Sequence, residues 1–250
     1  MTEGRDKARA SLHEPLLAFA AAIALAVTLY WAGQAAGFVQ QLMHGLIACS
    51  FLLGPRIASR LSGRPFDERA AGITVSPALP GLRVLGLAIL ITWPAFVLGF
   101  FLYYGMVCSG QVPLRALSEA MAPLCTRWHG ISGLHLRLVD GFAGLALSQI
   151  IVVAVPEEIF FRGYLMSRFE ERWPSQRRLW GAAVGWPLLL TSLLFATGHF
   201  LVDLQPARLA VFFPALVFGW MRSRSGSVAP GAVFHALCNL LSEVMHDSAF

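Results

Sequence analysis

Val155-Pro156-Glu157-Glu158-Ile159-Phe160-Phe161-Arg162-Gly163-Tyr164 sets two adjacent carboxylates and an arginine inside an apolar run that is long enough to cross a membrane. An acidic side chain near the centre of a membrane helix costs roughly 2.5 to 3.5 kcal/mol on insertion scales, so two in succession need a reason. Glu158 and Arg162 stand four residues apart and meet across one helical turn, whereas Glu157 points about 100° away from its neighbour. The arginine thus neutralises one glutamate and leaves the other free to act as a general base. The plainer alternative is a buried ion-pair cluster that only fixes helix packing.

Working outward, composition agrees with a membrane protein. Of the 250 residues, 56% are hydrophobic and 13% charged, against about 25% charged in soluble domains, and the mean hydropathy is +0.63. The pI near 9.4 does not point to nucleic acid, because the basic residues lie in short segments between apolar runs and form no basic face or recognition motif. Lys7 is the only lysine, and with abundant alanine and arginine this is the composition of a GC-rich, bacterial genome. The four cysteines show no metal-binding spacing. Cys108 and Cys125 flank an expected outer loop and are read as packing thiols, with a disulfide between them as the alternative.

The expected fold is all-α: a polytopic membrane helical bundle of about seven transmembrane helices. Apolar segments run over about 16–38, 39–54, 85–107, 141–166, 180–200, 209–221 and 227–245. The second is the weakest, since it is short and carries Gln40, Gln41 and His44. Pro94 is a candidate kink in the third, and a short interfacial helix is expected around Leu114 to Met121. With the N-terminus inside, the cytoplasmic segments hold Arg5, Lys7 and Arg9; Arg56, Arg60, Arg64, Arg69 and Arg83; Arg162, Arg168, Arg172, Arg177 and Arg178; and Arg222 and Arg224. The outer loops keep only Arg115, Arg127, Arg137 and Arg208, as the positive-inside rule requires, and dropping the second span would spoil this agreement. Residues 1–140 are read as variable N-terminal helices and 141–250 as a four-helix catalytic core.

Two later segments supply partners for the glutamates. Phe195-Ala196-Thr197-Gly198-His199 places an imidazole in the fifth span, and Phe234-His235-Ala236-Leu237-Cys238-Asn239 places His235 and Asn239 one turn apart on one face of the seventh. Singly, each is as readily a packing histidine or interhelical amide. Together they offer a base, two imidazoles and an amide donor on three converging spans, an inventory suited to amide hydrolysis.

The three blocks EExxxR (Glu157, Glu158, Arg162), FxxxH (Phe195, His199) and HxxxN (His235, Asn239), in this order, resemble the CAAX protease and bacteriocin-processing family of glutamic-type intramembrane proteases, related to the Ras-converting endopeptidase. The resemblance covers about Leu145 to Leu241, and the late stretch Pro206 to Asn239 is similar to the sorting-signal-associated, myxosortase-like group. It implies that Glu157 with His199 activates water, that His235 and Asn239 stabilise the oxyanion, and that Glu158 with Arg162 holds the active helix in register. It further implies a membrane-anchored or lipid-modified protein or peptide as substrate, cut by tail or pro-peptide processing, no cofactor, and a multi-pass location in a bacterial cytoplasmic membrane with the N-terminus cytoplasmic. Pro156 suits this reading, since a proline can open the helix just ahead of the glutamates.

Other chemistries stay open at this level. Glu157, His199 and His235 could make a two-histidine, one-carboxylate zinc site, although no HExxH occurs. Ser225 and Ser227 lack a nucleophile-elbow sequence, and Cys238 is one turn from His235. A proton-coupled transporter would also need buried carboxylates and histidines, and it predicts two related halves that the sequence does not display. His13, His44, His129, His135 and His246 are expected to do no chemistry. One tension concerns depth: Glu157 falls in the cytoplasmic half of its expected span, while His199 comes late in a span that starts inside. Either the fourth helix continues well past Arg162, or residues 173–185 lie at the interface and the fifth helix starts deep.

Overall fold

The computed structural model describes residues 11–76, 78–111, 121–131 and 135–250. The N-terminal basic residues Arg5, Lys7 and Arg9, together with Arg115 and nearly all of the expected interfacial helix, lie outside the described residues. The chain forms α1 (His13–Ala35), α2 (Gly37–Ser62), α3 (Ala78–Cys108), α4 (Phe142–Arg172), a small antiparallel hairpin of β1 (Arg177–Leu179) and β2 (Ala182–Val184), α5 (Trp186–Asp203), α6 (Phe212–Ser225) and α7 (Ala229–Ala249). The all-α polytopic bundle is therefore the observed architecture. Among the described residues five helices, α1 to α5, are long and apolar enough to cross a membrane. At 14 residues α6 spans about 21 Å, short of the roughly 30 Å hydrocarbon thickness.

The weak second segment is a full helix of 26 residues, longer than its hydropathy suggested. It turns back on α1 through Ala36 alone, and the turn is tight: a Cβ on Gly33 would stand 3.3 Å from the Gln40 backbone. The hairpin α1–α2 then packs on one side of α4, and α5, α6 and α7 pack on its others. The third helix leans on α6 and α7 at the bundle's edge. In lipid such packing is driven by van der Waals contact and hydrogen bonds. Around α4 it is dominated by rings, with Phe51 against Phe160 at 4.9 Å and Phe161 against Phe195 at 5.0 Å between centroids.

The first resolution of the depth tension, a fourth helix that continues well past Arg162, is present. Helix α4 runs 31 residues to Arg172, which sets Glu157 at its middle. The fifth helix begins at Trp186, not near Trp180 as expected, because residues 177–184 pair as a hairpin whose turn puts Trp180 and Gly181 at positive φ (48° and 81°). The positive φ of Gly181 favours glycine at that corner, and a Cβ there would also press on the Arg224 guanidinium at 2.8 Å.

The two ends of the bundle differ in chemistry. At one end Glu14 of α1 binds Arg64 after α2 at 2.7 Å and Arg168 of α4 at 2.9 Å, and both arginines also reach Glu171. Arg222 of α6 binds Glu170 at 2.8 Å beside them. At the other end Trp128, Tyr104 and the C-terminal Phe250 cluster, and Arg137 N–H donates to Ser248 at 2.9 Å. Here Cys108 and Cys125 form a disulfide, which overturns their reading as packing thiols; the end of α3 and the following turn bring their Cα atoms to 5.2 Å. Cys49 and Cys238 are free.

Candidate active site

The glutamates sit between two irregular stretches of α4. Gln149–Ala154 and Ile159–Leu165 are π-helical, and between them Val155–Glu158 is a single α turn. Wider turns of this kind recur at functional sites because they re-aim side chains out of the regular helical register. Pro156, lacking an N–H, cannot donate back into the preceding turn and fits the junction. Its helix is thus widened, not broken. Neighbouring carboxylates end up in opposite surroundings: the Glu157 side chain is 14% exposed and faces a cavity, while that of Glu158 is 1% exposed.

Glu158 Oε1 accepts from Arg162 Nη1 at 2.9 Å, the pairing expected from the four-residue spacing. The other guanidinium nitrogen donates to the Ala215 carbonyl of α6 at 3.1 Å, and the group lies 4.4 Å over the Phe195 ring and 5.1 Å from that of Phe218. Arg162 is therefore fully engaged by α4, α5 and α6. Phe195 has two further tasks. Its ring lies 4.3 Å from the His199 ring, and its carbonyl accepts a hydrogen bond from His199 Nδ1 at 2.9 Å. That bond turns His199 Nε2 toward Glu157.

His235 is fixed from two sides. Its Nδ1 lies 3.3 Å from Glu158 Oε1, and its ring stacks on Phe218 at 4.8 Å with an 18° tilt. Its Nε2 also faces Glu157. The Glu157 oxygen Oε2 stands 4.0 Å from His199 Nε2 and 3.8 Å from His235 Nε2, and it is buried without a hydrogen-bond partner. These separations exceed a direct hydrogen bond and suit a bridging water. Asn239, one turn beyond His235, donates through Nδ2 to Gln149 Oε1 at 2.8 Å. Glu157, His199, His235 and Asn239 all line one cavity of about 540 Å³, with Gln149, Tyr30 and His44 among its other walls.

Residues 140–241 match a family model described as Rce1-like, type II CAAX prenyl endopeptidase Rce1-like. Residues 140–241 are thus similar to an Rce1-like domain. The matched segment holds all three motif blocks, so the similarity falls on the family that those blocks resemble, in a chain with several helices apolar enough to cross a membrane. No curated protein and no solved structure matches it. The Rce1-like segment does not enclose the cavity by itself: Ile23 and Tyr30 of α1 and His44 and Phe51 of α2 complete the wall.

Among the described residues no group of three or more His, Cys, Asp and Glu side chains is arranged to hold a metal ion. Ser225 and Ser227 are structural: the first donates to the Met221 carbonyl at 2.7 Å, and the second binds the Thr74 carbonyl. Cys238 packs with the apolar cluster around Phe218 and Phe234. Gln149 and Phe218 are site residues that sequence reasoning missed. Gln149 left a signal, as a polar residue two turns ahead of Glu157 in an apolar run. Phe218 left none, because an aromatic in an apolar helix looks the same whether it stacks on a histidine or on lipid.

Proposed function

We propose that the Rce1-like domain hydrolyses a peptide bond of a membrane-anchored or lipid-modified protein or peptide by glutamate-activated water. The observation that carries this reading is the buried, unpartnered Glu157 oxygen with two imidazole Nε2 atoms converging on it. A water held there gives one proton to Glu157 as its oxygen attacks the scissile carbonyl, and His199 orients it. The oxyanion that forms takes hydrogen bonds from His235 Nε2–H and from the Asn239 amide. Glu157 then passes its proton to the departing amine as the C–N bond breaks, which returns the carboxylate to its starting state. Glu158 and Arg162 touch no reacting atom in this scheme; they hold His235 and α4 in place.

The arginine distribution supports a cytoplasmic N-terminus in a bacterial cytoplasmic membrane. Candidate substrates are C-terminal tails, sorting anchors of the kind handled by the myxosortase-like group, and pro-peptides. Co-expression of such a panel with wild type and Glu157→Gln, read by product mass, tests the reading. Wild type is expected to cut at least one member, and Glu157→Gln to lose roughly 10²- to 10⁴-fold in rate. Unchanged cleavage in the variant would reject Glu157 as the base, and loss of wild-type cleavage on adding a chelator would reinstate zinc.

A further inference from the structure

The cavity is closed at one end and open at the other. On one side of Glu157, Phe160, Phe161, Tyr164, Leu165 and Phe169 are buried to 2% exposure or less, and of these only Phe161 lines the cavity. Beyond them lies the ion-pair network of Glu14, Arg64, Arg168 and Glu171. On the other side the lining becomes polar. It passes from Gln149 and Asn239 to Ser242 and Glu243 on the last turns of α7 and to Asp203 and Arg208 at the end of α5, and Ser242, Glu243 and Arg208 are exposed. The polar wall of α7 leads to Ser248 and Ala249, which bind Arg137 and His129 at the end of the bundle that carries the Cys108–Cys125 disulfide.

Two independent features assign the ends to compartments. The closed end carries Arg56, Arg60, Arg64, Arg69, Arg172 and their neighbours, whereas the open end has Arg127, Arg137 and Arg208 among the described residues. An arginine excess marks the cytoplasmic side. A disulfide persists in an oxidising compartment and not in a reduced cytoplasm, which sets the open end outside. Nothing in the catalytic arrangement demands this direction; it follows from which half of α4, α5 and α7 lines the cavity.

We propose that the active site is reached from the extracytoplasmic face, so that its substrates are extended segments of exported proteins whose scissile bond enters from outside, and not cytoplasmic tails. This rests on the protease reading of the same site. A segment arriving from outside meets the polar mouth, shed of regular structure, before its carbonyl can approach Glu157. A helix would leave its backbone carbonyl bonded to itself, and the mouth's amide and carboxylate groups offer alternative partners to an unwound chain.

Sidedness can be measured without any substrate. In a Cys49→Ser, Cys238→Ser background, a single Ser242→Cys at the mouth and, separately, Ser62→Cys at the arginine-rich end are exposed to a membrane-impermeant maleimide. Intact spheroplasts and inverted vesicles are compared by mass shift. The expected result is that Ser242→Cys takes one adduct in spheroplasts and Ser62→Cys only in inverted vesicles. Labelling of Ser242→Cys only in inverted vesicles, or in neither preparation, overturns the proposal. A cleavable segment is then fused on either side of a membrane anchor. Wild type is expected to cut only the extracytoplasmic version, and cutting of only the cytoplasmic version also overturns it. If neither fusion is cut while labelling runs as expected, the protease reading loses support and the outward opening stands.

Discussion

The two halves of α4 make a sharp contrast. From Phe142 to Val155 the helix is mostly half-buried or exposed and contributes Gln149, Val152 and Val153 to a polar cavity; from Glu158 to Phe169 it is almost wholly buried among rings and ion pairs. The change occurs between two consecutive glutamates. One peptide unit therefore separates a side chain placed for chemistry from one placed for architecture. The difference teaches that burial, not residue type, assigns the roles: the same carboxylate becomes a fixed anchor when an arginine, a histidine and a glycine backbone close over it. Each glutamate leaves its Oε2 without a hydrogen-bond partner, but only Glu157 lines the cavity, and a carboxylate facing a space that admits water becomes a candidate base.

Breaking the anchored half should have the largest effect on folding. Arg162→Met leaves the buried Glu158 carboxylate uncompensated and is expected to lower stability by about 3 to 5 kcal/mol, read by denaturation in detergent. Removing both charges in Glu158→Gln, Arg162→Met should recover much of that loss, because no charge is then stranded. On the cavity side, Gln149→Leu removes the acceptor that holds Asn239. We expect kcat to fall roughly 10- to 100-fold with KM little changed, since a donor misplaced by about 1 Å loses most of its benefit.

Gly231→Ala probes the boundary between the halves. Its Cβ would stand 3.3 Å from Glu158 Oε2 and 3.6 Å from the Phe218 carbonyl, and overpacking of this kind costs about 1 to 3 kcal/mol. A cleavage rate that falls further than the unfolding midpoint accounts for would place His235 alignment under the control of this contact. The smallest effect is expected at the exposed arginine-rich end. Arg56 pairs with Glu68 at 2.6 Å with both side chains well solvated, and Arg56→Ala should change stability by only about 0 to 1 kcal/mol.

Much of the site was legible because the bilayer penalises polar groups: any glutamate, histidine or asparagine left in an apolar run stands out. The Glu158–Arg162 pair followed from four-residue spacing, and that spacing survives even though Arg162 lies in a π-helical stretch. The π turns themselves were not legible, since Gln149–Ala154 and Ile159–Leu165 have no residue pattern that separates them from ordinary helix. The hairpin was hidden too. Its three-residue strands are too short to show alternation, and Trp180-Gly181 is not a customary turn pair, its geometry being held by Arg224 packed over Gly181. Nor could sequence say that α1 and α2 wall the cavity, because Tyr30 and His44 have value there only through tertiary position. The Cys108–Cys125 bond depended on how the chain returns after α3, which spacing alone leaves open.

The account's central claim is that neighbouring glutamates have separate tasks, and one paired measurement addresses it. Glu157→Gln and Glu158→Gln would be purified side by side, with cleavage of the same tail and thermal unfolding recorded for each. The account predicts that Glu157→Gln loses cleavage while its Tm stays at the wild-type value, and that Glu158→Gln unfolds at distinctly lower temperature because Arg162 is left unpaired. Wild-type cleavage by Glu157→Gln, or a Tm loss confined to Glu157→Gln, would contradict it.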